Sequence, residues 1–585
     1  MTTQVPDNFM TTQAPDNFPD GVEIDQEDFQ NWALAIEVPN LWTCYPNSED
    51  QVVEVCNWAA KQGYTVRPRG IMHTWSPITV VENTPSGAKI LLVDLTKYLN
   101  TATFLPATDA EPTRVQVQAG ATMEKLLTYL EGAAGPDNPG YAFPHTPAPG
   151  HLTVGGVLAI NAHGSAVPSE NENFDCSYGS LSNQILSFKA VVTDPDSPTP
   201  DAYTIKTFNR SDPDAKALLV HLGRAFIVEA TLQVIENYYL RCVSYTNLTS
   251  DVLFAAPTSE TPVPPQSLAS FLNQYGRIEA IWFPFTWVWP STPLPWFKVW
   301  SVSPTQPAGS RKVDKPYNYV FSDNLPEVVT NMVRSLTSFG GGILTPAFGQ
   351  LMQSVSNNGL NGTGIFQGLL EPSNDIWGLS KNTLLYVKDT TLRVTANGYA
   401  VHMKQSDVQQ AVHDFATKYV EMVNAYASKL QFPINSPLEI RVTSLDDPAR
   451  VGVPPGATAE SPVISALSYD EEAENNNWDV ALWFDVLTLP GTPHSNDFYQ
   501  ELEEWFEGRF NGAAGRPMPE WSKGWAYTTN GPWTSSTYME SVREMFTTGR
   551  GGDDNWNYEV ETLAKYDKSN LFTNELLGTL FTTTT

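Results

Sequence analysis

The sequence predicts an α+β protein of two domains, and three observations carry that expectation. Its 585 residues exceed the roughly 150 of an ordinary domain, which points to two or more units. The first third alternates helix and strand signals, whereas residues from about 246 to 525 form a loop-rich stretch of long helices between short strands. Hydrophobic residues at 41% and aromatics at 11% supply packed cores, so the net charge of −30 does not imply disorder.

The elements follow in order. Ser48-Glu49-Asp50-Gln51 resembles a capping box, and Val52, Val53, Cys56, Ala59 and Ala60 follow at helical spacing until Gly63. A strand at 64–67 runs into the turn Pro68-Arg69-Gly70, and 89–94 and 114–118 read as further strands. Thr122 opens an amphipathic helix carrying Leu126, Leu127 and Leu130. Residues 139–165 are dense in Gly, Pro and His, and strands resume at 185–195 and 225–236. Beyond them, helices are expected at 325–338, 406–429 and 497–508, with strands at 384–388, 437–443 and 478–489. Two helices near 536–546 and 556–566 close the chain.

Composition excludes several functions. An acidic surface repels phosphate backbones, so nucleic acid is excluded as a partner. Four cysteines, Cys44, Cys56, Cys176 and Cys242, are too few for a disulfide framework, and none form C-x-x-C; a single disulfide stays open. No run of about 18 apolar residues spans a membrane. The N-terminus repeats a nonapeptide, MTTQVPDNF then MTTQAPDNF, as an extension over residues 1–19. Neither copy has the basic and apolar regions of a signal peptide, so secreted (trimmed) and cytoplasmic locations both stay open.

Most catalytic signatures are absent: there is no P-loop, H-E-x-x-H or G-x-S-x-G. His145, His151 and His163 match no familiar metal spacing, and loop packing is their plainer use. Two segments stand out. In Arg67-Pro-Arg-Gly-Ile-Met-His73-Thr-Trp75, a turn after a strand can offer successive backbone N–H groups to a pyrophosphate. In Pro147-Ala-Pro-Gly-His-Leu-Thr-Val-Gly-Gly156 and Asn161-Ala-His-Gly-Ser165, paired glycines at a helix start admit a ligand closely, and the helix end favours phosphate. The alternative is that these glycines and prolines only shape loops.

Together the segments resemble the PCMH-like flavin domain of the vanillyl-alcohol oxidase superfamily, with its R-G-x-x-H turn and later T-x-G-G. RGIMHTWSP, PAPGHLTVGGVLAINAHGSAVP, EAIWFPFT, TTLRVT, PLEIRV, WDVALWFDVL, EWSKGWA and LFTN, in this order from about residue 20 to 577, are similar to segments of the covalent-FAD (type II) cholesterol oxidases. The resemblance implies a discontinuous FAD-binding domain, 20–245 plus 526–585, around a substrate domain at 246–525. It implies FAD bonded covalently to His73, with Arg69, Gly70, Ile71 and Met72 at the pyrophosphate. Thr153, Gly155, Gly156, Asn161 and His163 would line the opposite side, and Gly120, Gly179 and Asn574 would be further flavin contacts. A second, thiol link is not implied, because His151 stands where related two-link flavoproteins carry cysteine.

In the substrate half the resemblance places Glu279, Glu439, Arg441 and Lys523 around the catalytic cavity. Alcohol oxidation needs a base for the hydroxyl proton, and a carboxylate raised by a dry pocket serves. Glu279, set in apolar sequence, is the first candidate, and Arg441 would steady negative charge. Glu439, two residues from Arg441 on one strand face, would pair with it, a pair the family is thought to use as a dioxygen gate. Two departures matter: Ala396 stands where the family has glutamate, and Asp485 where it has asparagine, so Asp485 rivals Glu279 as base. Trp282, Trp287, Trp289, Trp296 and Trp300 either wall a flat apolar substrate or pack the core. The implied reaction is FAD-dependent oxidation of a 3β-hydroxysterol such as cholesterol, with dioxygen reduced to hydrogen peroxide and a Δ5 to Δ4 isomerisation within reach. Another bulky alcohol, another acceptor or a flavin-free lipid-binding protein are the rival readings.

Overall fold

The computed structural model describes residues 14–135, 138–172, 174–196, 198–283, 294–319, 341–387 and 393–584. The helix expected at 325–338, Trp287, Trp289 and most of the repeated nonapeptide lie outside them.

The first sheet has four strands in the order Glu23–Gln30, Glu37–Tyr45, Ile90–Asp94, Thr65–Arg69. The last three run parallel, so a crossover is required, and helix Glu49–Gln62 supplies it. Ser48 caps that helix by accepting from Gln51 N, and Gly63 closes it in the left-handed conformation (φ 71°). A second, antiparallel sheet runs Ala102–Leu105, Arg114–Gln118, Phe226–Gln233, Ile185–Thr193, Tyr203–Asn209.

The third sheet has nine strands: Arg311–Lys312, Asp375–Leu379, Tyr239–Tyr245, Trp296–Val302, Arg277–Trp282, Leu438–Ser444, Val480–Thr488, Thr395–Met403 and Arg516–Pro519. Alternation along its central strands sorts side chains onto two faces. On one face Phe484 stacks on Phe415 at 4.0 Å, under helices Val408–Ala427 and Ser495–Arg509. The other face carries a line of charge, because Lys298 lies opposite Glu279, Glu279 opposite Arg441, and Glu439 opposite Asp485.

Three expectations change. Residues 384–387 are not a strand: Ser380–Leu384 is a short helix with Lys381 ion-paired to Glu131, and Val387 bridges to Pro149, while residue 388 lies outside the described residues. Tyr239–Tyr245, assigned by sequence to the end of the first unit, is a strand of the large sheet. All four cysteines are free and buried, so no disulfide forms. The tail returns to the first sheet, where Val66 N donates to Leu571 O at 2.9 Å and Asp567 pairs with Arg224. Its helices also pack elsewhere: Leu577 and Leu580 join the core of the large sheet, and Leu563 that of the second. Among the described residues, no helix is long and apolar enough to cross a membrane.

Candidate active site

A cavity of about 410 Å³ lies where the first two sheets meet the charged face of the third. Its walls include Arg69–His73, Thr153, Gly155, Gly156, Asn161 and His163 on one side, and Glu439, Arg441, Glu520 and Lys523 on the other.

The turn after strand Thr65–Arg69 forms the first wall. The backbone N–H groups of Ile71, Met72, His73 and Thr74 find no acceptor among the described residues, while Met72 sits at φ 58°. Four such donors on a cavity wall form a nest for an anion. Gly70 permits the turn to pass the helix start, since a Cβ there would lie 2.4 Å from Thr153 Oγ1. Arg69 contributes backbone but not charge: its guanidinium is taken by Glu27 and lies 3.4 Å from Asp94.

The second glycine segment works differently from its sequence reading. In helix Val154–Ala159, Val154 N donates to Ala121 O (2.8 Å), Gly155 N to Ala119 O (2.9 Å) and Gly156 N to Thr153 Oγ1 (3.3 Å). Those donors are spent inside the protein, while Thr153, Gly155 and Gly156 line the cavity. The glycines serve close packing, with Gly155 against Ala119. Gly120 lines the cavity and is required by Leu95 O, 2.2 Å from a Cβ placed there. Gly179 and Asn574 lie off the cavity: Gly179 packs on Asp446, and Asn574 donates to Pro77 O at 2.8 Å.

His73 packs between Trp32 (4.6 Å between ring centres) and Trp75 (5.6 Å), and its Nδ1 lies 3.3 Å from His151 Nε2. Burial, then the neighbouring His151, Arg393 and Lys523, push its pKa down to about 3. The imidazole is therefore neutral at neutral pH and keeps a nucleophilic lone pair. His145 accepts from Gly164 N at 3.2 Å, and His163 stacks on Trp483 at 3.7 Å. The three sequence histidines thus have separate surroundings.

Glu279 is not where a base is needed. Its carboxylate pairs with the fully buried Lys298 at 3.5 Å, accepts from the Tyr386 hydroxyl, and does not line the cavity. Lys298 in turn sits among Trp296, Trp300, Tyr319 and Tyr386. Glu439, two residues from Arg441 on the neighbouring strand, does line the cavity. Burial pushes its carboxyl up to about 7, with Arg441 and Lys523 opposing.

Arg441 Nη2 is 3.6 Å from Glu439 and is in closer contact with Asp485 Oδ2, which also receives Lys523 Nζ at 2.8 Å. Asp485 is fully buried behind the wall and does not line the cavity. Lys523 reaches Glu520 at 3.2 Å, and Glu520 faces His163 at 3.8 Å. Sequence reasoning missed Glu520 as a site residue, although its i, i+3 spacing to Lys523 was a signal. It also missed Trp32 and Tyr386, whose parts depend on long-range packing.

Ala396 is buried in an apolar cluster with Phe348, Met352 and Leu487. Of the described members of the tryptophan block, only Trp296 lines the cavity. Trp282 packs against Phe254 and Tyr419, and Trp300 donates to Thr383 O at 3.1 Å.

The family described as "Cholesterol oxidase, substrate-binding" matches residues 239–582, and "FAD binding domain" matches 41–195. A solvent-stable cholesterol oxidase is 44% identical with a TM-score of 0.89, over 97% of this chain and 100% of the other. The cholesterol oxidase from B. sterolicum is 35% identical with a TM-score of 0.88, over 97% and 99%. A histidine-to-alanine mutant from Brevibacterium sterolicum matches equally, at 35%, 0.88, 97% and 99%. No curated protein matches in sequence.

Proposed function

This chain belongs to the cholesterol oxidase family, joining an FAD-binding domain to a sterol-binding one, and from that premise we propose how its residues divide the work. It is a flavin-dependent cholesterol oxidase; the residue roles, the covalent link and the domain limits are our reading. Bound FAD supplies the hydride acceptor and the electrons that reduce dioxygen to hydrogen peroxide.

The observation that carries the flavin assignment is the row of four acceptor-free N–H groups at Ile71–Thr74, beside a neutral His73. The nest holds the pyrophosphate, and His73 is the point of covalent attachment. The flavin-binding unit takes the first two sheets and the tail segment Leu571–Phe572, while the sterol unit starts at Tyr239 with the large sheet.

Glu439 removes the sterol hydroxyl proton, and being raised to about 7 makes it a base matched to neutral solution. Arg441, protonated throughout, steadies the negative charge that develops on the hydroxyl oxygen. Phe348, Met352, Leu487 and Trp296 supply apolar wall for the flat ring system. With a Δ5 sterol, Glu439, once the hydroxyl proton has left it for the hydrogen peroxide, also carries the proton from carbon 4 to carbon 6, and failure of Glu439→Gln to convert added Δ5-3-ketone to the Δ4 product tests that step. Acid precipitation tests the attachment: colour should stay with the wild-type pellet and leave with the His73→Ala supernatant. Colour retained by the variant would refute the link.

A further inference from the structure

Behind the cavity wall, Asp485 and Glu520 each turn one oxygen toward the same spot. A Cβ built on Gly398 would stand 2.5 Å from Asp485 Oδ1 and 2.9 Å from Glu520 Oε2. Both oxygens are buried and neither accepts a hydrogen bond from a described residue. Lys523 Nζ lies 3.2 Å from Glu520 Oε2 but off the hydrogen-bonding direction. The partner oxygens are engaged: Asp485 Oδ2 by Arg441 and Lys523, and Glu520 Oε1 by the Ser522 hydroxyl, which donates to it at 3.5 Å, with His163 Nε2 at 3.8 Å.

Ionised carboxylates are acceptors only, so two converging on one buried point repel unless a proton stands between them. The charges around them agree. From strand Leu438–Ser444 come Glu439 and Arg441, from the 520–523 turn Glu520 and Lys523, and from the 161–165 segment His163. Three carboxylates thus face two fixed cations, while Glu279 is occupied by Lys298. One proton on the carboxylates balances the group.

We propose that Asp485 and Glu520 form a carboxyl pair sharing one proton, made possible by the missing side chain at Gly398, and that this stored proton leaves Glu439 ionised to act as base. Asp485 and Glu520 are positioning residues, acting through Glu439. Burial, then Glu520, raise Asp485, while Lys523, His163 and Asp485 hold Glu520 down against its own burial, so the proton rests mainly on Asp485. The second half of the proposal rests on the reading of Glu439 as base; the first half does not.

Infrared spectra of the resting, flavin-loaded protein in heavy water test the pair directly. A carbonyl stretch of a buried, protonated carboxylic acid should be present in wild type and in Glu439→Gln. Asp485→Asn and Glu520→Gln should each abolish it. Gly398→Ala, which wedges a methyl group between the two oxygens, should shift or abolish it without removing either carboxyl. Buried Glu503 and Glu559, whose carboxyls are also pushed upward, contribute bands common to every variant, so the pair is read from wild-type-minus-variant difference spectra; a carbonyl region unchanged by both single replacements would overturn it.

The pH dependence of flavin reduction by cholesterol supplies the second arm. A pair sharing a proton carries one negative charge, and so does the lone Glu520 of Asp485→Asn. The acid limb assigned to Glu439 should therefore move by less than about half a unit, whereas loss of a truly ionised neighbour would lower it by about one unit or more. A drop of that size would overturn the stored proton. Full flavin reduction by Glu439→Gln would overturn the link to the base, leaving the infrared band to decide the pair by itself.

Discussion

Replacing Arg441 with methionine should move the acid limb of sterol oxidation upward. Arg441 Nη2 stands 3.6 Å from the Glu439 carboxylate and opposes the rise that burial causes. At an effective dielectric near 20, a pair about 4 Å apart interacts by about 4 kcal/mol, and one pKa unit is about 1.4 kcal/mol, so the upper bound is about three units. Glu439 keeps 26% of its side chain exposed, and water reduces that figure, leaving an expected rise of about one to two units. The wild-type midpoint at about 7 should thus reach about 8 to 9. Below the midpoint the rate should fall about tenfold per pH unit, because the protonated carboxyl cannot accept the hydroxyl proton. The assay is anaerobic stopped-flow, following loss of flavin absorbance on mixing with cholesterol across neutral pH. Arg441→Lys should return the midpoint toward wild type. A midpoint that stays still or falls in Arg441→Met would refute Glu439 as the titrating base.

Three other outcomes follow from the same side chains. Lys298→Met should destabilise the protein by about 3–5 kcal/mol, because Glu279 is left charged in the interior, and adding Glu279→Gln should recover much of the loss in a denaturant titration. Gly70→Ala should lower flavin content per chain, since the new methyl group would press on Thr153 Oγ1 at 2.4 Å; wild-type content by absorbance would contradict the close approach. Glu503 is buried and accepts from Tyr399 at 2.5 Å, and burial pushes its carboxyl up to about 8. The fold favours its protonated form, so its contribution is full below the unfolded value and fades as pH climbs through about 8. Glu503→Gln should therefore match wild type in melting temperature at acid pH and exceed it at alkaline pH; parallel curves would contradict this.

Local grammar made much of the fold legible. Ser48 and Gly63 delimit their helix by cap chemistry that needs no tertiary context, and the helix Trp556–Tyr566 and strand Val480–Thr488 follow from their apolar patterns. Strands Arg277–Trp282 and Trp296–Val302 were hidden because a block of large aromatics has no period to read. The flavin turn was visible as R-G-x-x-H, yet only packing shows that Arg69 spends its charge on Glu27.

The choice of base was hidden for a related reason. Glu279 and Glu439 both sit in apolar strands, and what separates them is the cross-strand partner, Lys298 for one and the cavity edge for the other. Register is a tertiary fact. Asp485 was noticed as a departure, but its convergence with Glu520 over Gly398 joins residues from three separate segments.

The most direct test of the whole account mixes the purified yellow protein with cholesterol in the absence of oxygen and then admits air. The account expects the flavin to bleach, and then to regain its colour with one hydrogen peroxide released per sterol oxidised. A flavin that stays oxidised with cholesterol while His73 and Glu439 are intact would contradict it.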